Sequence, residues 1–132
     1  MLPVTDDRDT GPFFEAAREC RLAYAACDQC RRAIHPPMPW CPHCGGRIGW
    51  RTASGRATLY GFTLVEHQIH PAFPTPYTVV LVELADSQDV RLVGHLAGKH
   101  ELRIGQPMEV WFEDKGDGVV LPQWRPMQPE SP

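Results

Sequence analysis

The chain has 132 residues and a formal net charge of −3, with 22% charged and 42% hydrophobic residues. This composition is that of a folded globular chain, not a disordered one. The length holds one domain or two very small ones, and excludes an α/β barrel of about 250 residues.

Fourteen prolines and eleven glycines cut the sequence into short pieces with little room for long helices. Residues 1–9 read as a polar, acidic arm without the apolar stretch of a signal peptide. Thr10 can cap a helix and Pro12 suits its first turn. Phe13, Ala17 and Cys20 then recur on one helical face, which predicts a short helix over about 11–20 with Cys20 as a small buried group. Residues 1–21 form the N-terminal arm and helix.

Residues 22–53 hold two C-x-x-C pairs, separated by Pro36-Pro37-Met38-Pro39, and the prolines forbid a helix between them. Short strands are expected at Leu22–Ala26 and Ile48–Thr52.

From Ser54 the pattern changes to alternation and short apolar runs bounded by turns, which predicts strands. Ala57–His67 reads as a long strand, with Leu59, Thr63 and Val65 on one face and Tyr60, Phe62 and Leu64 on the other. Gly61 within it marks a bend or bulge. Three prolines make 70–76 a loop. Further strands are expected at Tyr77–Leu84, Val90–Leu96, Met108–Glu113 and Val119–Arg125, the last two joined by an Asp117-Gly118 hairpin turn. Five strands in residues 54–126 lie too close together for crossover helices and suit a small Greek-key barrel of OB type. The tail, 127–132, should fray.

Cys27, Cys30, Cys41 and Cys44 carry the most specific chemistry. Two thiolates at i and i+3 in a tight turn point the same way, and two such turns complete a tetrahedron with bonds of about 2.3 Å. Zinc is the expected metal and iron the alternative, since the same turns hold iron in rubredoxins. Four thiolates leave no open position for water, so a structural role is expected.

Little else suggests catalysis. His67 and His70 lack a ligand cluster, His95 faces either a pocket or the exterior, and the paired aspartates fall at turns. The acidic balance argues against nucleic acid. The apolar run Val79–Val82 is far short of the roughly 20 residues of a membrane helix. A cytoplasmic location is the expectation. The aromatic residues, Trp40, Trp50, Trp111 and Trp124 among them, either pack the core or line a groove.

The ordered set of motifs resembles a known family. It comprises Phe13-Phe14-Glu15, Cys27-x-x-Cys30 with Pro36-Pro37, Cys41-Pro42-x-Cys44-Gly45, Ser54–Tyr60, Pro76–Leu84, Leu102–Val110 and Leu121–Pro126. The resemblance is to the acyl-CoA-associated zinc-ribbon/OB-fold family, whose members accompany thiolases and thiolase-like enzymes. Cys20 and Ala57 stand where glycine is common in that family, and Trp124 where phenylalanine is expected. The resemblance implies a mainly β fold: a short N-terminal helix, a rubredoxin-like zinc ribbon and a five-stranded OB barrel.

It also implies an accessory, non-catalytic subunit of a thiolase or aldolase acting on acyl-CoA, such as steroid side-chain thioesters, that helps form the acyl-CoA channel. On that basis Tyr60, Phe62, His95, Arg125 and Arg56 are candidate acyl-CoA contacts, the arginines for a phosphate. Phe13, Phe14 and Trp40 are candidate partner contacts. The competing readings are a single-stranded nucleic-acid module, a rubredoxin-like electron carrier, and an enzyme in its own right through His95 or Cys20.

Overall fold

The computed structural model describes residues 2–127. Met1 and residues 128–132, most of the expected tail, lie outside the described residues. Among the described residues one helix, α1 (Gly11–Arg18), precedes seven strands. Pro12 sits in its first turn, where a missing N–H costs nothing. The Thr10 carbonyl accepts from Phe13 and Phe14, but its hydroxyl turns away to Asp7 Oδ2 (3.3 Å), so the side chain does not cap the helix.

The helix stops short of residue 20. Cys20 has φ of 57° and follows the last turn, while the N–H of Arg21 returns to the carbonyl of Ala16. This is the left-handed position at which helices commonly end on glycine. Cys20 therefore leaves the Phe13–Ala17 face and is exposed, contrary to the burial its spacing suggested.

Strands β1 (Ala23–Cys27) and β2 (Ile48–Thr52) pair antiparallel, Ala23 opposite Thr52 and Cys27 opposite Ile48. The second sheet contains β3 (Arg56–Val65), β4 (Tyr77–Leu84), β5 (Arg91–Ala97), β6 (Pro107–Gly116) and β7 (Val119–Pro126). Its order is β5-β4-β3-β6-β7, with every pair antiparallel. Among the described residues no helix separates β5 from β6. At the β6–β7 hairpin Asp117 and Gly118 both have positive φ (54° and 76°), the geometry a two-residue Asp-Gly turn requires.

The edges of this sheet curl toward each other. Gly94 of β5 lies against Trp124 of β7, and the Gln123 side chain accepts the N–H of His95 at 2.8 Å. A side chain thus takes the place of a ladder bond, and the barrel closes without a continuous β5–β7 ladder. The core inside contains Leu59, Val80, Val82, Leu84, Val90, Met108 and Trp124, all buried. Phe13 and Tyr24 pack on it from α1 and β1.

The register of β3 shifts between Leu59 and Gly61, the bulge that Gly61 announced. Its consequence differs from simple alternation. Leu59 pairs with Val82, and beyond the bulge Phe62 pairs with Val80 and Leu64 with Thr78. Directly paired residues share a face, so Leu59, Phe62 and Leu64 lie together and Thr63 and Val65 lie on the other side. The extra residue at Tyr60 reverses the expected grouping. Ser54, between β2 and β3, is tied to the β4–β5 turn: its N–H and hydroxyl donate to the Asp86 carboxylate at 3.0–3.2 Å.

Candidate functional site

Two features stand out, a cluster of four cysteines and an apolar cleft. The ligand sulfurs of Cys27, Cys30, Cys41 and Cys44 lie within 4.8 Å of one another. Cys27 Sγ is 3.5 Å from Cys44 Sγ, and Cys30 Sγ is 3.7 Å from Cys41 Sγ. A tetrahedral site with bonds of about 2.3 Å places its sulfurs about 3.8 Å apart, so the cluster matches a four-thiolate site.

Each turn aims backbone N–H groups at sulfur. Gln29 and Cys30 donate to Cys27 Sγ (3.4 and 3.3 Å), and His43 donates to Cys41 Sγ (3.4 Å). Gly46 is needed for a different reason. A Cβ there would stand 2.8 Å from Cys27 Sγ and 2.9 Å from Gln29 Cβ, so any side chain would invade the cluster.

The thiols do not share one affinity for protons. The Cys30 N–H leads in holding the Cys27 thiol down to about 6, against the upward push of burial. Burial also pushes the Cys41 thiol up, but the N–H groups of His43 and Cys44 and the neighbouring thiols outweigh it, and the net shift is downward. The Gly46 N–H pulls Cys44 down, yet Cys27, burial and the other two thiols carry it up to about 11. Four thiolates cannot crowd together uncompensated; a dication removes the conflict and releases the remaining protons. The donor set fits zinc or iron.

The cleft, about 640 Å³, lies between α1, β1 and the β4–β5–β7 side of the barrel. Its walls are aromatic and aliphatic, with Phe13, Phe14, Trp50, Phe73, Tyr77 and Val79 among them. His95 forms part of the wall. Its ring packs at a tilt against Tyr77 and Phe73, with centroids 4.9 and 5.8 Å away. Two ring nitrogens of residues that line the cleft, His95 Nε2 and Trp124 Nε1, are themselves fully buried and have no hydrogen-bond partner among the described residues. An orphan of this kind costs about 1–3 kcal/mol. His35, also in the wall, has its pKa lowered, chiefly because burial disfavours the charged ring.

The other candidate contacts lie elsewhere. Tyr60 is exposed beneath the Arg91 guanidinium, 4.0 Å from the ring centre to Cζ. Phe62 is exposed, Arg125 pairs with Glu109 at 3.1 Å, and Arg56 lies on the surface. None of these four lines the cleft; His95 does. Phe13 and Phe14 meet edge-on (5.3 Å) in its wall, whereas Trp40, 60% exposed, stands apart on the ribbon. The aromatic pattern leaves Trp50, Phe73 and Tyr77 open as either core or groove residues, and the structure puts all three in the cleft wall; His35 is not singled out. No signal in the sequence points to His35, since α1, the ribbon and the barrel meet only in the folded chain.

Comparison with known proteins agrees with this architecture. Residues 14–50 match the model of the ChsH2 rubredoxin-like zinc ribbon domain. Residues 50–113 match the model of the ChsH2 C-terminal OB-fold domain.

The chain belongs to the ChsH2 zinc-ribbon/OB-fold family.

Within the ChsH2 family, a probable enoyl-CoA hydratase alpha subunit of Thermomonospora curvata is 38% identical over 129 residues, 95% of this chain and 40% of that protein. The 3-oxo-4,17-pregnadiene-20-carboxyl-CoA hydratase alpha subunit of Mycobacterium tuberculosis is 31% identical over 132 residues, 96% of this chain and 40% of that one. The chain thus spans 40% of the length of either curated relative. A chain of the Ltp2-ChsH2(DUF35) aldolase is similar in structure, with a TM-score of 0.85 and 36% identity over 94% of this chain and 98% of that chain. A protein of unknown function from the DUF35 family of Sulfolobus solfataricus shares the fold, with a TM-score of 0.58 and 15% identity over 76% of this chain and 75% of that one. No helix among the described residues is long and apolar enough to cross a membrane.

Proposed function

We propose that this chain is an accessory subunit that docks on a thiolase-like aldolase and contributes part of the wall of its acyl-CoA channel. One observation carries the reading: a 36% identical chain with nearly the same fold is part of the Ltp2-ChsH2(DUF35) aldolase. The Mycobacterium tuberculosis relative, a steroid carboxyl-CoA hydratase subunit, supports a steroid side-chain thioester as the cargo.

The residues fit a supporting role. Cys27, Cys30, Cys41 and Cys44 hold a structural zinc ion, whose four thiolates leave no position for a reacting water. Free thiols suit a reducing, cytoplasmic setting. The reacting nucleophile or base then belongs to the partner. Trp40, which is exposed, and the Phe13–Phe14 pair, half-buried in the cleft wall, are the proposed docking groups, because aromatic side chains at an interface bury a large area at low conformational cost.

Co-expression with a thiolase-like aldolase tests this. The two chains are expected to co-purify, and aldol cleavage of the acyl-CoA should require both. A chain that elutes alone and changes neither the solubility nor the activity of the enzyme ends the reading.

A further inference from the structure

We infer that the N-terminal arm is a strap: residues 2–6 close the β6–β7 end of the cleft in the free chain, and lifting them opens a second mouth there. The inference concerns access to the cleft and holds whatever the cleft receives.

Placement is the first argument. A second cavity of about 410 Å³ adjoins the cleft. Phe14, Phe73, His95, Leu121 and Gln123 belong to the walls of both. Leu2 and Pro3 line the second cavity and not the cleft itself. Glu113 and Lys115 of β6, an ion pair at 3.5 Å, complete its wall. The arm therefore reaches from the start of α1 to the last two strands of the barrel.

Attachment is the second argument. The arm is tied down only where it meets the helix. The Gly11 N–H donates to the Asp7 carbonyl (2.6 Å), and the Thr10 hydroxyl donates to the Asp7 carboxylate (3.3 Å). The chain folds back over Gly11, where an added Cβ would meet the Thr5 carbonyl oxygen at 3.6 Å. Before Asp7 no polar contact holds it: among the described residues no hydrogen bond or ion pair reaches residues 2–6. Val4 is 70% exposed and Leu2 42%, so the hold is the partial burial of Leu2 and Pro3.

These two features together make a strap and not a fixed wall. A segment without backbone hydrogen bonds to the fold opens at little cost. Burying about half of a leucine side chain biases that opening about five-fold toward the closed form. Pro3 fixes its own φ and keeps Leu2 extended, so the arm swings as a stiff piece about Thr5–Asp7 and loses little entropy on closing.

The test uses the full chain with its metal and Nile red, a neutral apolar dye that brightens on leaving water. Leu2→Asp sets a carboxylate against Phe14, Phe73 and Leu121, where its desolvation is unfavourable, and should lift the strap. Nile red should then associate faster and bind about five-fold tighter, because apparent affinity follows the open fraction. Val4→Asp puts the same charge at an exposed position and should change neither. Deleting residues 2–4 should reproduce Leu2→Asp, and none of the three changes should lower the metal content or the melting temperature. Equal binding by Leu2→Asp and the native chain, or the same gain from Val4→Asp, overturns the inference. Weaker binding after the deletion makes the arm a permanent wall and overturns it too, as does a failure of every form to bind the dye. Docking on an aldolase does not enter these measurements, so the accessory-subunit reading stands or falls separately, on co-purification.

Discussion

Gly94 lies directly against Trp124. A Cβ at Gly94 would stand 3.1 Å from the indole Cδ1, 3.2 Å from the Trp124 backbone nitrogen and 3.2 Å from Val80 Cγ2. This contact brings β5 and β7 together, and it leaves the fully buried indole no room to retreat. Gly94→Ala should therefore destabilise the chain by about 1–3 kcal/mol, the cost of overpacking a filled core. A thermal melt of the variant beside the native chain measures it; an unchanged melting temperature would mean that the closure is loose.

Metal removal should be felt first in the ribbon. Elemental analysis is expected to find one zinc per chain in colourless protein, whereas red colour with visible thiolate-to-iron absorption would identify iron. Stripping the metal with a strong chelator should unfold the β1–β2 region, because binding energy in such sites is folding energy. Gly46→Ala forces a methyl group to 2.8 Å from Cys27 Sγ. It should weaken metal affinity about ten-fold or more, read by competition with a chromophoric chelator.

His35 makes stability depend on pH. Its pKa in the folded chain lies below the ordinary 6.5, first because of burial, with a backbone hydrogen bond to Arg91 opposing. Between the lowered value and 6.5 the unfolded chain binds more protons than the folded one, so stability rises with pH through that window. The contribution is complete above 6.5 and is lost as pH falls toward the folded value. His35→Leu should flatten this part of the profile in denaturant titrations from pH 7.5 to 5; an unaltered slope would assign it to other groups.

Asp86 holds the link between ribbon and barrel. Its carboxylate accepts the N–H and the hydroxyl of Ser54. Asp86→Ala leaves both donors to water at this exposed site and should cost about 1 kcal/mol, measured by urea denaturation. Asp86→Asn, which keeps one acceptor oxygen, should lose less.

Local chemistry is what the sequence states most clearly. The four cysteines could be named as one site because i, i+3 spacing in a proline-bounded turn leaves few geometries. The five barrel strands could be placed because alternation and turn residues act over a few neighbours, as the Asp117-Gly118 hairpin illustrates. The family resemblance rested on the same local motifs.

Tertiary structure decided what depends on distant partners. The bulge at Tyr60 reversed the facing of β3 through its pairing with β4, and periodicity within one strand does not contain that register. The left-handed turn at Cys20 removed a residue from the helix that spacing had included. Above all, His95 acquired its surroundings from Phe73, Tyr77, Gln123 and Trp124, on a loop and two other strands. Composition and motif order were enough to describe a ribbon and a barrel. Only the packing of α1 and β1 against that barrel created the cleft, because a cavity belongs to surfaces that meet and not to any one segment.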